Sequence, residues 1–123
     1  MSNQIVWCDI PVTDLDSAIK FYSGILGKPV TKESVAGMTF GLLPHAYDGV
    51  AGCLVVAADD KPGANGPMIY MNCEGRLDIA IATVELNGGT ILKAKHQIGE
   101  HGFRAIILDS EGNRIALHTT KSA

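Results

Sequence analysis

Between residues 13 and 26 the apolar side chains Leu15, Ala18, Ile19, Tyr22, Ile25 and Leu26 recur three and four positions apart, the spacing that lines one face of an α-helix. Thr13 with Asp16 has the form of a capping box in which Asp replaces Glu. Gly27 supplies a left-handed C-terminal position, and Pro29 forbids continuation. Residues 4–11 in front of this helix read as a strand closed by Pro11, and three further short strands are predicted near 29–34, 37–43 and 51–57. Gly37 and the loop Pro44-His45-Ala46-Tyr47-Asp48-Gly49 separate them.

After the polar stretch Asp59 to Gly66, rich in glycine and proline, the pattern starts again. Pro67 to Cys73 reads as a strand, and Leu77, Ala80, Ile81 and Val84 as a shorter helix ended by Gly88-Gly89. Strands are predicted near 90–97, 103–108 and 113–119, the last two joined by the hairpin composition Asp109-Ser110-Glu111-Gly112-Asn113. Leu15-Asp16-x-Ala18-Ile19 returns as Leu77-Asp78-x-Ala80-Ile81, and Gly27 as Gly89, both at an offset of 62 (77 − 15 and 89 − 27). The expectation is an α+β protein of two tandem βαβββ modules, about 4–58 and about 66–120, forming one curved eight-stranded sheet with a concave cleft. At 123 residues and 46% hydrophobic composition, the chain is suited to one domain around one core.

Charge narrows the function. Ten basic and thirteen acidic side chains give a formal net charge of −3, and Lys93, Lys95 and His96 share a face only in part, so there is no footprint for nucleic acid. Met1-Ser2-Asn3-Gln4 shows neither a positive region nor a following apolar run of signal-peptide length, and no apolar stretch approaches the roughly 20 residues that span a bilayer. A cytoplasmic protein without membrane contact is expected. Cys8, Cys53 and Cys73 are odd in number, widely spaced and set in apolar runs, as suits small buried hydrophobes rather than a zinc site or reactive thiols.

Trp7 to Tyr22 with Leu26-Gly27, and Gly102 to Ala105 followed by Asp109 to Ile115, resemble the vicinal-oxygen-chelate superfamily, which includes the glyoxalase and bleomycin-resistance proteins. Tyr70-Met71-Asn72 and Gly88-Gly89-Thr90-Ile91 are similar to a branch related to lactoylglutathione lyase. The resemblance implies eight strands, a cleft for a metal or small molecule, and frequent homodimerisation. Its metal-dependent members place His, Gln or Glu at four inward-facing strand positions. The first falls on Trp7, whose indole nitrogen only donates, and the fourth on Ala116. The second lies on Ala51 to Ala57, where only Cys53 has ligand chemistry, and the third on Pro67 to Cys73, which lacks His, Glu and Gln. No metal and no other cofactor is therefore expected. A calcium loop over Asp109 to Asn113 fails on spacing: its glycine stands fourth rather than sixth, and the twelfth position is Thr120.

With Trp7 facing the cleft, as the resemblance implies, strand alternation puts Asp9 beside it and Val6, Cys8 and Ile10 under the helix. In the second module it turns Tyr70 and Asn72 inward, and His118, two beyond Ala116, shares that sheet face. Trp7, Asp9, Tyr70, Asn72 and His118 are thus the candidate ligand-binding residues, an aromatic wall with a few polar groups suited to a small organic molecule. No catalytic residue can be named. The reading is a small-molecule-binding protein that works without metal. Its rivals are an enzyme, either through Asp9 and His118 or as a metal-dependent lyase or dioxygenase with non-standard ligands, and a non-catalytic dimer with a vestigial cleft.

Overall fold

The computed structural model describes residues 3–121, so Met1 and Ser2 of the segment read for a leader lie outside the described residues. Strand β1 (Trp7–Pro11) leads into helix α1 (Leu15–Leu26), followed by β2 (Thr31–Val35), β3 (Met38–Leu42) and β4 (Ala51–Val55). The second module repeats this with β5 (Ile69–Asn72), α2 (Leu77–Val84), β6 (Thr90–Gln97), β7 (Phe103–Leu108) and β8 (Arg114–Thr119). Each module closes as a mixed sheet in which the first strand runs parallel to the last, in the orders β1-β4-β3-β2 and β5-β8-β7-β6. The eight strands divide into two open four-stranded sheets, where the sequence suggested one continuous sheet. No helix among the described residues is long and apolar enough to cross a membrane.

The first helix starts one residue later than its capping pattern suggested. Asp14 is the N-cap, its carboxylate accepting the backbone N–H of Ser17 at 3.1 Å. The Thr13–Asp16 box does not form: the Thr13 hydroxyl instead donates to Glu111, 98 residues away, at 2.5 Å. Gly27 ends the helix in the left-handed conformation (φ 67°), with its N–H on the Ser23 carbonyl. In the second module the left-handed terminator is Gly88 (φ 91°), not Gly89. Gly89 is a close approach, since a Cβ there would stand 2.6 Å from the Leu108 carbonyl oxygen and 2.7 Å from the Phe21 ring.

Both helices pack on the same core. Ala18, Phe21, Tyr22 and Ile25 of α1 and Leu77, Ala80 and Val84 of α2 are buried with Ile10, Leu54, Met71, Ile107, Ile115 and Leu117 of the strands. Each large side chain there contributes about 1.5–3 kcal/mol by leaving water. The closing hairpin fastens the modules together. Asp109, 2% exposed, accepts the Tyr22 hydroxyl at 2.5 Å and the backbone N–H groups of Glu111 and Asn113. Burial first, and then the Asp109 charge, push the Tyr22 phenol well above its ordinary range, so it remains the donor. The Asn113 amide donates to the Pro11 carbonyl and accepts the Gly63 N–H, tying β1 and the inter-module segment to the same turn. The composition that hinted at a calcium loop is this clamp.

Candidate ligand-binding face

Helices cover one face of each sheet, and the residues that alternate with the core line the other. In module 1, Cys8, Ile10 and Leu54 pack against the helix side, which turns Trp7, Asp9, Ala51 and Cys53 to the open face. In module 2, Ile69, Met71, Ile115 and Leu117 pack inward and turn Tyr70, Asn72, Ala116 and His118 outward. The sides assigned from alternation match at these positions but not at Val6, which was expected under the helix and is 64% exposed because β1 begins only at Trp7.

Register shows how closely the modules correspond. Trp7 pairs with Ala51 and Tyr70 with Ala116, so each module sets an aromatic ring beside an alanine. Two residues on, Asp9 pairs with Cys53 and Asn72 with His118. The antiparallel strands extend each row across its sheet. In module 1 the row is Asp9, Cys53, Leu42 and Thr31, and in module 2 it is Asn72, His118, Arg104 and His96.

The first row is acidic and otherwise weakly polar. Asp9 accepts the Trp7 indole N–H at 2.7 Å and the Cys53 thiol at 3.4 Å. Burial chiefly, then the hydrogen bond to Asp9 and its charge, push the Cys53 thiol up to about 12. Burial likewise raises Cys8 and carries Cys73 up to about 11. These thiols stay protonated at neutral pH, which agrees with reading the cysteines as small apolar side chains; Cys53 and Cys73 are buried and Cys8 partly so.

The second row is cationic. Arg104 donates through Nη1 to the Tyr70 hydroxyl and through Nε to His96 Nε2 at 3.0 Å, and its guanidinium lies 5.9 Å from the Tyr70 ring centroid. His96 Nδ1 faces the Ala94 carbonyl at 2.9 Å, which can only accept, so His96 carries its proton on Nδ1 and is neutral. His118 is turned the other way, its Nε2–H on the His101 carbonyl at 2.8 Å and its Nδ1 free of a protein partner among the described hydrogen bonds. Its ring meets Tyr70 edge-on with centroids 6.1 Å apart. The Asn72 side-chain oxygen accepts the Glu74 N–H and helps turn the chain into α2.

The candidate residues therefore form two groups, one per module. Tyr70, Asn72 and His118 come together on the second sheet, and Trp7 and Asp9 on the first. Across the seam, Asp9 and Tyr70 both line a cavity of about 900 Å³, and Tyr70 and Asn72 line a second of about 800 Å³. Trp7 and His118 line neither. Asp9 is engaged by Trp7 and Cys53 and His118 by His101, and no contact between Asp9 and His118 is seen. Arg104 and His96 were not among the candidate ligand-binding residues named from sequence.

The register also tests the metal that the resemblance implies. The first and fourth positions hold the Trp7 indole and the Ala116 methyl, and their partners across the strand pairs are Ala51 and Tyr70, the latter hydrogen-bonded by Arg104. Alanine has no donor atom, and the indole cannot accept. Among the described residues no three His, Cys, Asp or Glu side chains come together. This donor set does not fit a divalent ion.

A profile of the Glyoxalase/Bleomycin resistance protein/Dioxygenase superfamily matches residues 4–117. The chain belongs to that superfamily. Its fold is similar to that of a glyoxalase/bleomycin resistance protein from Albidiferax ferrireducens T118, with a TM-score of 0.75 at 19% identity over 95% of this chain and 98% of that one. A superfamily member from Sphaerobacter thermophilus DSM 20745 gives 0.68 at 22% identity over 95% and 97%. A glyoxalase-related enzyme from Fulvimarina pelagi gives 0.69 at 14% over 95% and 88%. At these identities the likeness is one of fold. No protein of curated function matches.

Proposed function

We propose that this superfamily member binds a small organic molecule on the face opposite its helices and does so without a metal ion. One observation carries the reading: at the positions that the resemblance puts on Trp7 and Ala116, each module sets an aromatic ring beside an alanine across a strand pair. Trp7 is 45% exposed and Tyr70 46%, so both rings offer surface to a ligand instead of filling the space between the sheets. Open aromatic area with a few oriented polar groups is the make-up of a small-molecule site. Asp9, Asn72 and His118 supply the polar groups. Trp7, Val35 and Met38, exposed on the same face of module 1, support the expectation of a homodimer.

The decisive experiment is inductively coupled plasma mass spectrometry on protein purified without chelator and then offered manganese, iron, nickel and zinc. The expected result is less than about 0.1 metal per chain, a margin set by the absence of a ligand set. Stoichiometric retention of any of the four would overturn the metal-free reading and restore lyase or dioxygenase chemistry.

A further inference from the structure

Arg104 is partly buried and spends its contacts on neutral groups. Its partners are two: Tyr70, through its hydroxyl and its ring, and the neutral imidazole of His96. The ion pairs found are Lys32 with Asp16 and Lys95 with Asp78, and no hydrogen bond or ion pair joins Arg104 to a carboxylate among the described residues. A guanidinium partly screened from water and without a countercharge gains when an anion arrives. Two of its five N–H groups are occupied, one on Nε and one on Nη1, which leaves three for a ligand. His96 and Tyr70 hold the plane of the fork from two sides, so little conformational freedom is left to lose on binding.

We infer that Arg104 anchors the carboxylate of a small aromatic acid, with the body of that acid against the exposed Tyr70 ring. The inference rests on the small-molecule reading and names the class of molecule. Flat, twin-oxygen geometry matches a guanidinium fork. A phosphate monoester, with nearly two charges, would call for a second cation, and Arg104 is the one guanidinium or ammonium on the row Asn72, His118, Arg104 and His96. His118 Nδ1 and the Asn72 amide stand on the same row to contact polar substituents of the ring.

The test uses benzoate as probe, with benzamide and phenyl phosphate as its neutral and dianionic counterparts, in calorimetric titrations of the whole chain. Benzoate is expected to bind at least tenfold tighter than benzamide and tighter than phenyl phosphate. Arg104→Gln should weaken it about 30-fold and Arg104→Lys about tenfold, because the lysine keeps the charge and loses the fork. In wild-type protein the Arg104 Nε–H resonance should shift on titration with benzoate, a readout that stands even if a variant does not fold. Equal binding of benzoate and benzamide, or an unmoved Arg104 resonance, overturns the carboxylate anchor and leaves the small-molecule reading standing. Tighter binding of phenyl phosphate overturns the choice of carboxylate. Failure of all three probes, with no hit from a neutral aromatic library, sinks the anchor and the small-molecule reading together.

Discussion

The two modules share a backbone plan down to the pairing of single residues, yet their open faces carry opposite chemistry. Asp9, Cys53, Leu42 and Thr31 cross the first sheet where Asn72, His118, Arg104 and His96 cross the second. The first row holds a carboxylate already satisfied by an indole and a thiol; the second holds a guanidinium satisfied only by neutral groups. A repeated fold fixes where side chains stand and leaves open what they are. Here the anion of the pair is internally spoken for and the cation is not, so a ligand that adds negative charge belongs to module 2.

The severest way to break the comparison is to uncouple the modules. Asp109→Ala removes the acceptor shared by Tyr22, Glu111 and Asn113 and strands their buried donors. The expected loss is about 3 kcal/mol, or roughly 10 °C in Tm, read by calorimetry. If the parent and Asp109→Ala both unfold in one transition, the modules share one cooperative core; two transitions in the variant would show that each stands alone.

A milder pair of variants tests which module binds. Tyr70→Phe deletes the hydroxyl that steadies Arg104 and should weaken benzoate about fivefold, on the order of the 1 kcal/mol of one hydrogen bond. Trp7→Phe deletes the matching donor to Asp9 and should leave benzoate affinity within about twofold. The reverse order would move the site to module 1.

The smallest effect concerns the link from one module to the other through Glu111. Burial works to raise this carboxyl, but hydrogen bonds from the Thr13 hydroxyl and the Asp14 and Thr13 amides outweigh it and hold it below its ordinary range. A depressed folded-state value means that its stabilising effect is fully present above the ordinary carboxylate range and fades as pH falls through the lowered value. Glu111→Gln should therefore lower Tm at pH 7 by an amount worth less than about 1 kcal/mol, since the group is still partly open to solvent. The gap from the parent should close as the solution is made strongly acidic. A gap that stays constant with pH would show that the carboxylate charge plays no part.

Much of this was readable in the residues because periodicity records burial. The α1 stripe, the half-chain repeat and the alternation that exposes Trp7, Asp9, Tyr70, Asn72 and His118 all follow from which side chains must leave water. Helix ends were less legible: Thr13 and Asp14 both offer a capping oxygen, and the choice between them depends on Glu111, which is distant in sequence. Arg104 could have been found by counting back from the closing hairpin, since Leu108 opposite Arg114 places Arg104 opposite His118. His96 could not, because two irregularities in the pairing of β6 with β7, between Ile91 and Lys93 and between Lys93 and His96, break the alternation that would have placed it.

The clamp in the closing hairpin also bears on how the chain is made. The amides of Thr13 and Asp14 and the carbonyl of Pro11 find their partners 98, 97 and 102 residues downstream, on Glu111 and Asn113. During synthesis the first module leaves the ribosome long before those partners exist, and α1 waits with Tyr22 unanswered. Its native packing must then be among the last events of folding, timed by the arrival of the final hairpin and slowed by the long loop that this contact closes.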